Sequence, residues 1–518
     1  MKKHILFALL LFSTLAYSQV PEDAIRYSWL THNGTARYMA IGGVMGSLGG
    51  DISAGFVNPA GLGFYRTKEA VFTAGLFINN NESVFRQGAI SNNKNNNFNL
   101  GATGYVNGFS FKRNLGTNNA FSIAINQSAN FKNVIQYSGL NNYSSFSEQF
   151  AEEFGRSRQS IDNILNSNSI LPYTAAPALF TYLIDTVWNG SKYVIKGSPE
   201  IILEAGQALK QDVKKTTEGG MYELGFSFAE NHKDKWLTGI SLGVPIVTYT
   251  SNTIITESDT SANTANLFKS ATFIDDFKTQ GIGLNLKLGL IYRPKEYIRL
   301  GAALHTPSFI YQSDTRNTSL FNAREGSDSL REEFVKSDIF TDNTAGTNSY
   351  IQMTPWKAII SASYVFREVE NVKRQRGFIS ADIEYTNHHA SRFFVEENTD
   401  ENAVKKSYYN ALNKSLKNQY GGTFNFRVGG EIKFNVIMAR LGFAYYMNPY
   451  KEAALKASKM LLSGGLGYRH KGFFIDVTYV HNTIKDVHVP YRLEDRENTF
   501  ASLKQVKENI LATFGIKL

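Results

Sequence analysis

The chain has 518 residues, a formal net charge of +9 and no cysteine. The lack of cysteine excludes a disulfide framework and thiolate metal sites. The basic residues are scattered and do not form the aromatic-interleaved patch of a nucleic-acid-binding protein. The chain is rich in glycine (42 residues) and aromatic residues (13%). Beyond its N-terminus it lacks an apolar run of about 18 residues, which excludes a membrane helix but not a closed β-barrel.

The first 18 residues have the pattern of a signal peptide. Lys2 and Lys3 provide a positively charged start, and residues 5–15 are apolar. Ala16 and Ser18 supply the small residues that precede a cleavage site. We therefore expect residues 1–18 to be cleaved and the protein to be exported.

Residues 19–69 are rich in glycine and small side chains and precede the first clear strand. Such a segment is poorly suited to a compact domain of its own, whereas glycine permits close packing against a barrel wall. We expect it to form a hatch, or plug, inside the barrel lumen. Asn58-Pro59 is a turn-forming pair that directs the chain into the first strand. A phosphate-binding loop is excluded because Gly-Lys-Ser/Thr and a following helix are absent.

From residue 70 onward, apolar and polar residues alternate in segments of about ten residues, the length of a tilted membrane strand. In FISADIEY (378–385), Ile379 and Ile383 share one face, and Asp382 and Glu384 share the other. The polar face suits a polar lumen, in which we expect charged residues to pair across strands and pack against the hatch. About 14 such segments occur. The predicted fold is therefore all-β: a transmembrane antiparallel β-barrel of about 14 strands spanning residues 70–518.

The predicted connections alternate strictly between short and long, as in bacterial outer-membrane barrels. This asymmetry places the short turns and both chain ends in the periplasm and the long loops outside the cell. Residues 79–98, 251–276 and 482–509 are predicted long loops, and SNNKNNNFN (91–99) is predicted to be a solvated loop tip.

The longest predicted loop, residues 138–220, contains apolar residues at helical spacing. Ser198-Pro199-Glu200 marks the start of a second helix in it. Two interpretations remain open: a small helical core that holds the loop together, or an apolar surface that captures a ligand. The candidate capture residues are Phe146, Phe150, Phe154, Leu179, Phe180 and Ile201.

The stretch GTARYMAIGGVMGSLGGDISAGFVNPAGLGF (34–64) resembles the N-terminal hatch of the FadL/TodX family, outer-membrane transporters of long-chain fatty acids and aromatic hydrocarbons. Asn58, Pro59 and Ala60 match the Asn-Pro-Ala motif of that family. The resemblance implies a 14-stranded barrel in which the hatch, with gating residues Asn58, Pro59, Ala60 and Gly61, controls passage. It also implies an apolar pocket above the hatch and a gap in the barrel wall at a disrupted early strand.

The third predicted strand, AFSIAINQSANFKN, is a candidate for that disrupted strand. Its alternation ends where Asn126, Gln127, Ser128 and Asn130 make both faces polar. An unpaired polar group facing lipid is costly. A lateral opening at these four residues and a strand that has risen above the bilayer are both consistent with the pattern.

Two functions remain open from the sequence. The first is passive transport of a hydrophobic small molecule, fatty acid-like or aromatic, across the Gram-negative outer membrane. The second is an accessory or structural role in a larger complex with other outer-membrane proteins. The sequence shows no catalytic constellation, so we expect neither an enzyme nor a cofactor or metal site. The expected partners are the outer-membrane bilayer and a hydrophobic ligand, not nucleic acid.

Overall fold

The computed structural model describes residues 21–86, 88–110, 117–261, 263–326, 330–366, 376–395, 403–452 and 455–518. The expected signal peptide (1–18) lies outside the described residues, as do two of the predicted short connections for most of their length, at 111–116 and 367–375.

The described elements are mostly β-strands. In chain order the strands are β1 (Lys68–Phe85), β2 (Ser91–Leu100), β3 (Thr103–Phe109), β4 (Thr117–Asn130), β5 (Asn133–Asn141), β6 (Ile184–Trp188), β7 (Tyr193–Gly197), β8 (Leu209–His232), β9 (Trp236–Asp259), β10 (Ser270–Lys295), β11 (Ile298–His305), β12 (Phe309–Arg324), β13 (Arg331–Lys336), β14 (Gly346–Met353), β15 (Lys357–Phe366), β16 (Gly377–Asn387), β17 (Arg392–Phe394), β18 (Gly422–Phe434), β19 (Ile437–Tyr446), β20 (Ser458–His470), β21 (Phe473–His488) and β22 (Ala501–Lys517). The helices are α1 (Pro21–Arg26), α2 (Ala36–Ala40), α3 (Ala54–Val57), α4 (Phe146–Ser157), α5 (Ile161–Ile164), α6 (Ala175–Phe180), α7 (Ser198–Glu204) and α8 (Ala403–Gln419). Among the described residues, no helix is long and apolar enough to cross a membrane.

Within the described residues, fourteen strands close into an antiparallel barrel. They hydrogen-bond in the order β1, β3, β4, β8, β9, β10, β11, β15, β16, β18, β19, β20, β21 and β22. Strand β22 pairs with β1 from Lys517 opposite Glu69 to Ala501 opposite Phe85, which completes the ring. The prediction of an antiparallel barrel of about 14 strands is confirmed.

The two faces of the wall follow the predicted parity. Ile282 and Leu284 on β10 point outward and are each 55% exposed. Asp382 and Arg427 point inward and are fully buried. An apolar outer surface and a polar inner surface are the arrangement that a membrane barrel requires.

One end of the barrel has tight turns. Asn435 joins β18 to β19 with φ 55°, and Lys471-Gly472 joins β20 to β21 with φ 46° and 84°. The Lys471-Gly472 turn has positive φ at both central residues, which is typical of the two-residue hairpin turn that matches the twist of the strands. We call this the short-turn end and the opposite end the long-loop end.

Several predicted long loops are largely strand, so their predicted bounds were wrong. Strand β1 extends to Phe85 and β2 begins at Ser91, and the Asn-rich stretch 91–99 pairs with β1, with Asn95 opposite Asn79. Strands β9 and β10 likewise extend to Asp259 and from Ser270. Ladder hydrogen bonds join backbone groups and need no apolar side chains. Polar residues on both faces are therefore compatible with a continuing strand and do not mark its end.

Residues 142–208 form a folded cap at the long-loop end. The cap contains α4, α5, α6, α7 and the β6–β7 hairpin, which is not part of the barrel sheet. Helix α4 begins with a capping box in which Ser145 and Glu148 satisfy each other's backbone amides. Helix α7 begins at Ser198 with Pro199, as predicted.

Candidate functional site

Residues 21–67, the N-terminal segment, pack against inward-facing residues of the barrel. The amide of Ala36 donates to Thr513 Oγ1 on β22 at 2.7 Å. Farther along the segment, Asn58 donates to the carbonyl of Leu290 on β10. Gly42 lies so close to β19 that a Cβ on it would sit 2.8 Å from the backbone of Phe443. Glycine is required here because the segment and the wall meet backbone to backbone, and because Gly42 has φ +70°.

The Asn-Pro-Ala motif lies at one of these contacts. Asn58 Nδ2 donates to the carbonyl of Gly46 within the segment at 2.5 Å and to those of Leu290 and Ala302 on the wall at 3.2 and 3.3 Å. Asn58 Oδ1 accepts the amide of Ala60 at 3.1 Å and so caps the 3₁₀ helix Pro59–Phe64. The amide of Gly61 in turn donates to the Asn58 carbonyl at 2.9 Å. The motif therefore links the turn in the segment directly to β10 and β11.

Buried charges hold the same segment from another part of the wall. Asp382 Oδ2 on β16 accepts the amides of Met45 and Gly46, both at 3.1 Å. Across the ladder, Arg427 pairs with Glu384 at 3.2 Å and with Asp382 at 3.8 Å. Removing one partner of such a group would leave an uncompensated buried charge. The predicted cross-strand pairing of charged lumen residues is thus present and extends to the segment.

A second group of charges repeats this arrangement on neighbouring strands. Arg440 on β19 pairs with Glu431 on β18 at 2.6 Å and with Asp476 on β21 at 2.5 Å. Arg37 of α2 also approaches Glu431, at 3.4 Å, and donates to the carbonyl of Gly50 at 2.9 Å. The N-terminal segment therefore contributes the positive charge of Arg37 to this group of charged residues in the lumen.

The barrel wall is interrupted between β2 and the end of β4. Strand β4 pairs with β3 only as far as Ile125 opposite Thr103. Its last residues, 126–130, pair with β8 on one side, with a register shift between Gln127 and Ala129. Strand β2 pairs with β1, and within the described residues no ladder joins β2 to β4 or β5. The interruption, which we call the wall gap, coincides with the four predicted residues Asn126, Gln127, Ser128 and Asn130.

Amide side chains bridge the wall gap in place of ladder bonds. The amide of Leu100 donates to Gln127 Oε1 at 3.1 Å. Asn97 Nδ2 donates to Asn130 Oδ1 at 2.7 Å, and Asn130 Nδ2 donates to the carbonyl of Phe98 at 3.3 Å. Ser128 differs, because its hydroxyl donates to Met221 on β8 at 3.1 Å. Edge groups that must not remain unpaired in an apolar medium are thus satisfied by side chains.

Two cavities adjoin the gap on the inside, and both are lined by Thr31, His32, Asn33 and Ser128. The smaller encloses about 40 Å³ and also touches Phe77, Leu461 and Lys507. The larger encloses about 120 Å³, and its lining includes Leu30, Phe56, Met221, Glu223, Lys287 and His305. An engineered cavity that admits benzene has about 150 Å³. Each of the two cavities is a small chamber of mixed polarity, because inward parity also brings charged residues such as the Lys287–Glu223 ion pair into the lumen.

The candidate capture residues divide into two groups. Phe146, Phe150 and Phe154 of α4 are 1–4% exposed and Leu179 of α6 is 6% exposed, all within the core of the cap. Phe180 and Ile201 are 43% and 40% exposed. The first four residues therefore form part of a helical core that holds the loop together, which is one of the two interpretations of this loop. Of the six candidates, only Phe180 and Ile201 present an accessible apolar surface.

The cap contains a glutamate, Glu200, whose pKa is strongly raised. Burial raises the pKa of Glu200 on α7 to about 7, although its hydrogen bond from the Gly197 amide favours the charged form. Nearby Glu148 adds repulsion and further raises that pKa.

Several residues of the site were not identified from the sequence. Asn33 lies at the wall gap. Gly101 lies where β2 and β3 separate, and a Cβ on it would sit only 2.2 Å from the Gly34 carbonyl oxygen. Gly101-Ala102 inside a strand pattern was the available signal, since glycine there often marks a bulge or a close backbone approach. For Asn33 there was no local signal, because its partners are distant in sequence.

Comparison with known proteins finds matches to this chain among solved structures. No family model matches the chain, and no curated protein matches it. Among solved structures, a FadL homologue of Pseudomonas aeruginosa superimposes with a TM-score of 0.51 at 13% identity, covering 94% of this chain and 99% of that one. The toluene transporter TbuX of Ralstonia pickettii gives a TM-score of 0.50 at 16% identity, with the same coverage. The predicted resemblance to this family is confirmed for the fold.

Proposed function

We propose that this protein is a passive outer-membrane transporter of a hydrophobic small molecule. In this proposal the N-terminal segment is the hatch, and the ligand leaves the barrel sideways through the wall gap into the membrane. The observation that carries the proposal is the wall gap itself, which lies beside internal cavities in an otherwise closed barrel. The structural neighbours are described as a FadL homologue and a toluene transporter, which supports a hydrophobic substrate.

The size of the chamber bears on gating. A cavity of about 120 Å³ is smaller than the roughly 300–1,000 Å³ of a typical ligand pocket. Passage of a ligand therefore requires the N-terminal segment to move. Residues Asn58, Pro59, Ala60 and Gly61 are suited to control that movement, because Asn58 hydrogen-bonds β10 and β11 and accepts the amides of Ala60 and Gly61.

Outward-facing apolar residues all around the barrel support a membrane location, since water would not favour such a surface. The fold shared with outer-membrane transporters supports the outer membrane in particular. In that orientation the short-turn end faces the periplasm, and the cap, with Phe180 and Ile201 accessible on it, faces the outside.

Cross-linking across the wall gap tests the lateral route. Because the chain has no cysteine, the double variant Asn97→Cys/Asn130→Cys can be bridged specifically with a short bis-thiol reagent. A matched control is Thr256→Cys/Thr272→Cys, at directly paired positions on β9 and β10 whose hydroxyls are 3.1 Å apart. Uptake is measured with a fluorescent fatty acid and with toluene in Gram-negative cells that carry the protein in their outer membrane.

Bridging the gap is expected to reduce uptake to the level of cells that lack the protein, while the control bridge leaves it unchanged. Uptake that persists after the gap is bridged would exclude lateral exit. Absence of uptake by the unmodified protein would instead exclude transport of these probes. In that event a stoichiometric protein partner, found by native mass spectrometry of gently extracted protein, would favour the accessory role.

A further inference from the structure

Asn33 of the N-terminal segment occupies the position of the missing ladder at the wall gap. Its Nδ2 lies within hydrogen-bonding distance of three acceptors: Asn99 Oδ1 at 2.8 Å, the Gln127 carbonyl at 2.9 Å and the Leu100 carbonyl at 3.0 Å. The Leu100 and Gln127 carbonyls belong to the two strand edges that face each other without a ladder. One amide group, which has two protons to donate, thus contacts both sides of the gap.

Asn33 also accepts hydrogen bonds from both sides. Its backbone carbonyl accepts Asn126 Nδ2 from β4 at 2.9 Å. Its Oδ1 accepts Asn99 Nδ2 from β2 at 3.2 Å. The next residue, Gly34, places its carbonyl against Gly101, where a Cβ would lie at 2.2 Å. The segment is therefore fitted into the break by backbone contact as well as by side-chain hydrogen bonds.

These contacts differ from the other bridges across the gap. The Asn97–Asn130 bond joins β2 to β4 without involving the N-terminal segment. Asn33 joins β2, β4 and the segment together. If the segment moves, the edge carbonyls of both strands lose the same partner at once, and such groups are not left unpaired in an apolar medium.

We propose that Asn33 is the positioning residue that couples the N-terminal segment to the wall gap and keeps the gap closed while the segment is in place. This inference rests on the proposed function, because it names the residue through which hatch movement opens the lateral route. It predicts that the segment and the two strand edges lose their order together when the Asn33 amide is removed.

The test compares two isosteric substitutions in the full-length protein in lipid nanodiscs. Asn33→Asp removes the Nδ2 donor and turns an oxygen toward the Leu100 and Gln127 carbonyls. Asn97→Asp removes a single donor across the same gap and leaves the segment untouched. Asn33→Ala removes the amide without adding charge, so that an effect of the new carboxylate can be recognised. Hydrogen exchange is followed by mass spectrometry in peptides covering residues 29–36, 97–103 and 126–130.

In both Asn33 variants we expect exchange to become about tenfold faster in all three regions, as the loss of one or two hydrogen bonds implies. In Asn97→Asp we expect faster exchange near residues 97 and 130 only. Unchanged exchange in residues 29–36 in the Asn33 variants, or an equal change there in Asn97→Asp, would overturn the coupling. Uptake assays on the same variants in cells separate the two proposals, because coupled exchange without uptake of the hydrophobic probes would uphold the role of Asn33 and exclude transport of those probes.

Discussion

Replacing Gly289 by alanine should displace the Asn-Pro-Ala motif from the barrel wall. An ideal Cβ on Gly289 would lie 2.0 Å from Asn58 Oδ1 and 2.9 Å from both the Ala60 amide nitrogen and Pro59 Cδ. Ordinary van der Waals contact begins at 3.4 Å, so the motif must move by about 1.4 Å or the strand must yield by as much. A shift of that size breaks the Asn58 hydrogen bonds to β10 and β11, which are already 3.2 and 3.3 Å long.

The expected cost is about 3 kcal/mol, from overpacking of about 1–3 kcal/mol and two hydrogen bonds of about 1 kcal/mol each, partly relieved by movement. If the segment opens locally, amide exchange of Pro59–Phe64 should become about 100-fold faster. Gly464→Ala is the matched control, because the nearest atom to its new Cβ is the flexible Leu441 Cδ2 at 3.3 Å. Equal exchange rates in the two variants would refute the contact between the motif and the wall.

Three further predictions concern the cap and the buried charges. The pKa of Glu200 is raised to about 7, so its protonation stabilises α7 fully below pH 4.5, and this stabilisation is lost as the pH rises through 7. Hydrogen exchange of α7, corrected for intrinsic rates, should therefore accelerate between pH 5 and pH 8 in the native chain. In Glu200→Gln the corrected rate should not change over this range. Arg427→Met leaves the buried Glu384 and Asp382 without their guanidinium partner and should cost about 3–5 kcal/mol in urea unfolding. Adding Glu384→Gln should recover part of this cost, and no recovery would contradict the pairing of Arg427 with Glu384. Phe150→Ala should cost about 3–5 kcal/mol and expose the cap to thermolysin while the barrel stays folded. Phe180→Ser, at a 43% exposed position, should change cap stability by no more than about 0.5 kcal/mol, and cleavage equal to that of Phe150→Ala would contradict this assignment.

The architecture was accessible from sequence because a membrane barrel imposes a strict period of two on every strand. Ile379, Ile383, Asp382 and Glu384 were assigned to their correct faces by parity alone. The Asn-Pro-Ala turn was found because its residue types restrict the local backbone. Strand ends were predicted poorly, since the apolar alternation stops before the strand does, while the backbone ladder continues to residues such as Asp259.

The site was predicted only in part, for a related reason. The polar run at residues 126–130 was visible as a break in alternation, and the structure has the ladder interruption there. Its partners were not visible, because parity assigns a face but not a register. Asn33 meets Gln127 and Leu100 across 94 and 67 residues of chain, and neither propensity nor periodicity relates positions so far apart.

The contact between Ala36 and the final strands has a consequence for biogenesis. The Ala36 amide and carbonyl bond Thr513 on β22 and Thr478 on β21, at sequence separations of 477 and 442 residues. The part of the chain that is translated first therefore has its binding positions among the strands that are translated last. Contacts at such long separation form late, because the loop between them must close first. The Ala36 contacts of the N-terminal segment cannot form until the last strands join, so they belong with the closure of β22 on β1 to the final steps of assembly.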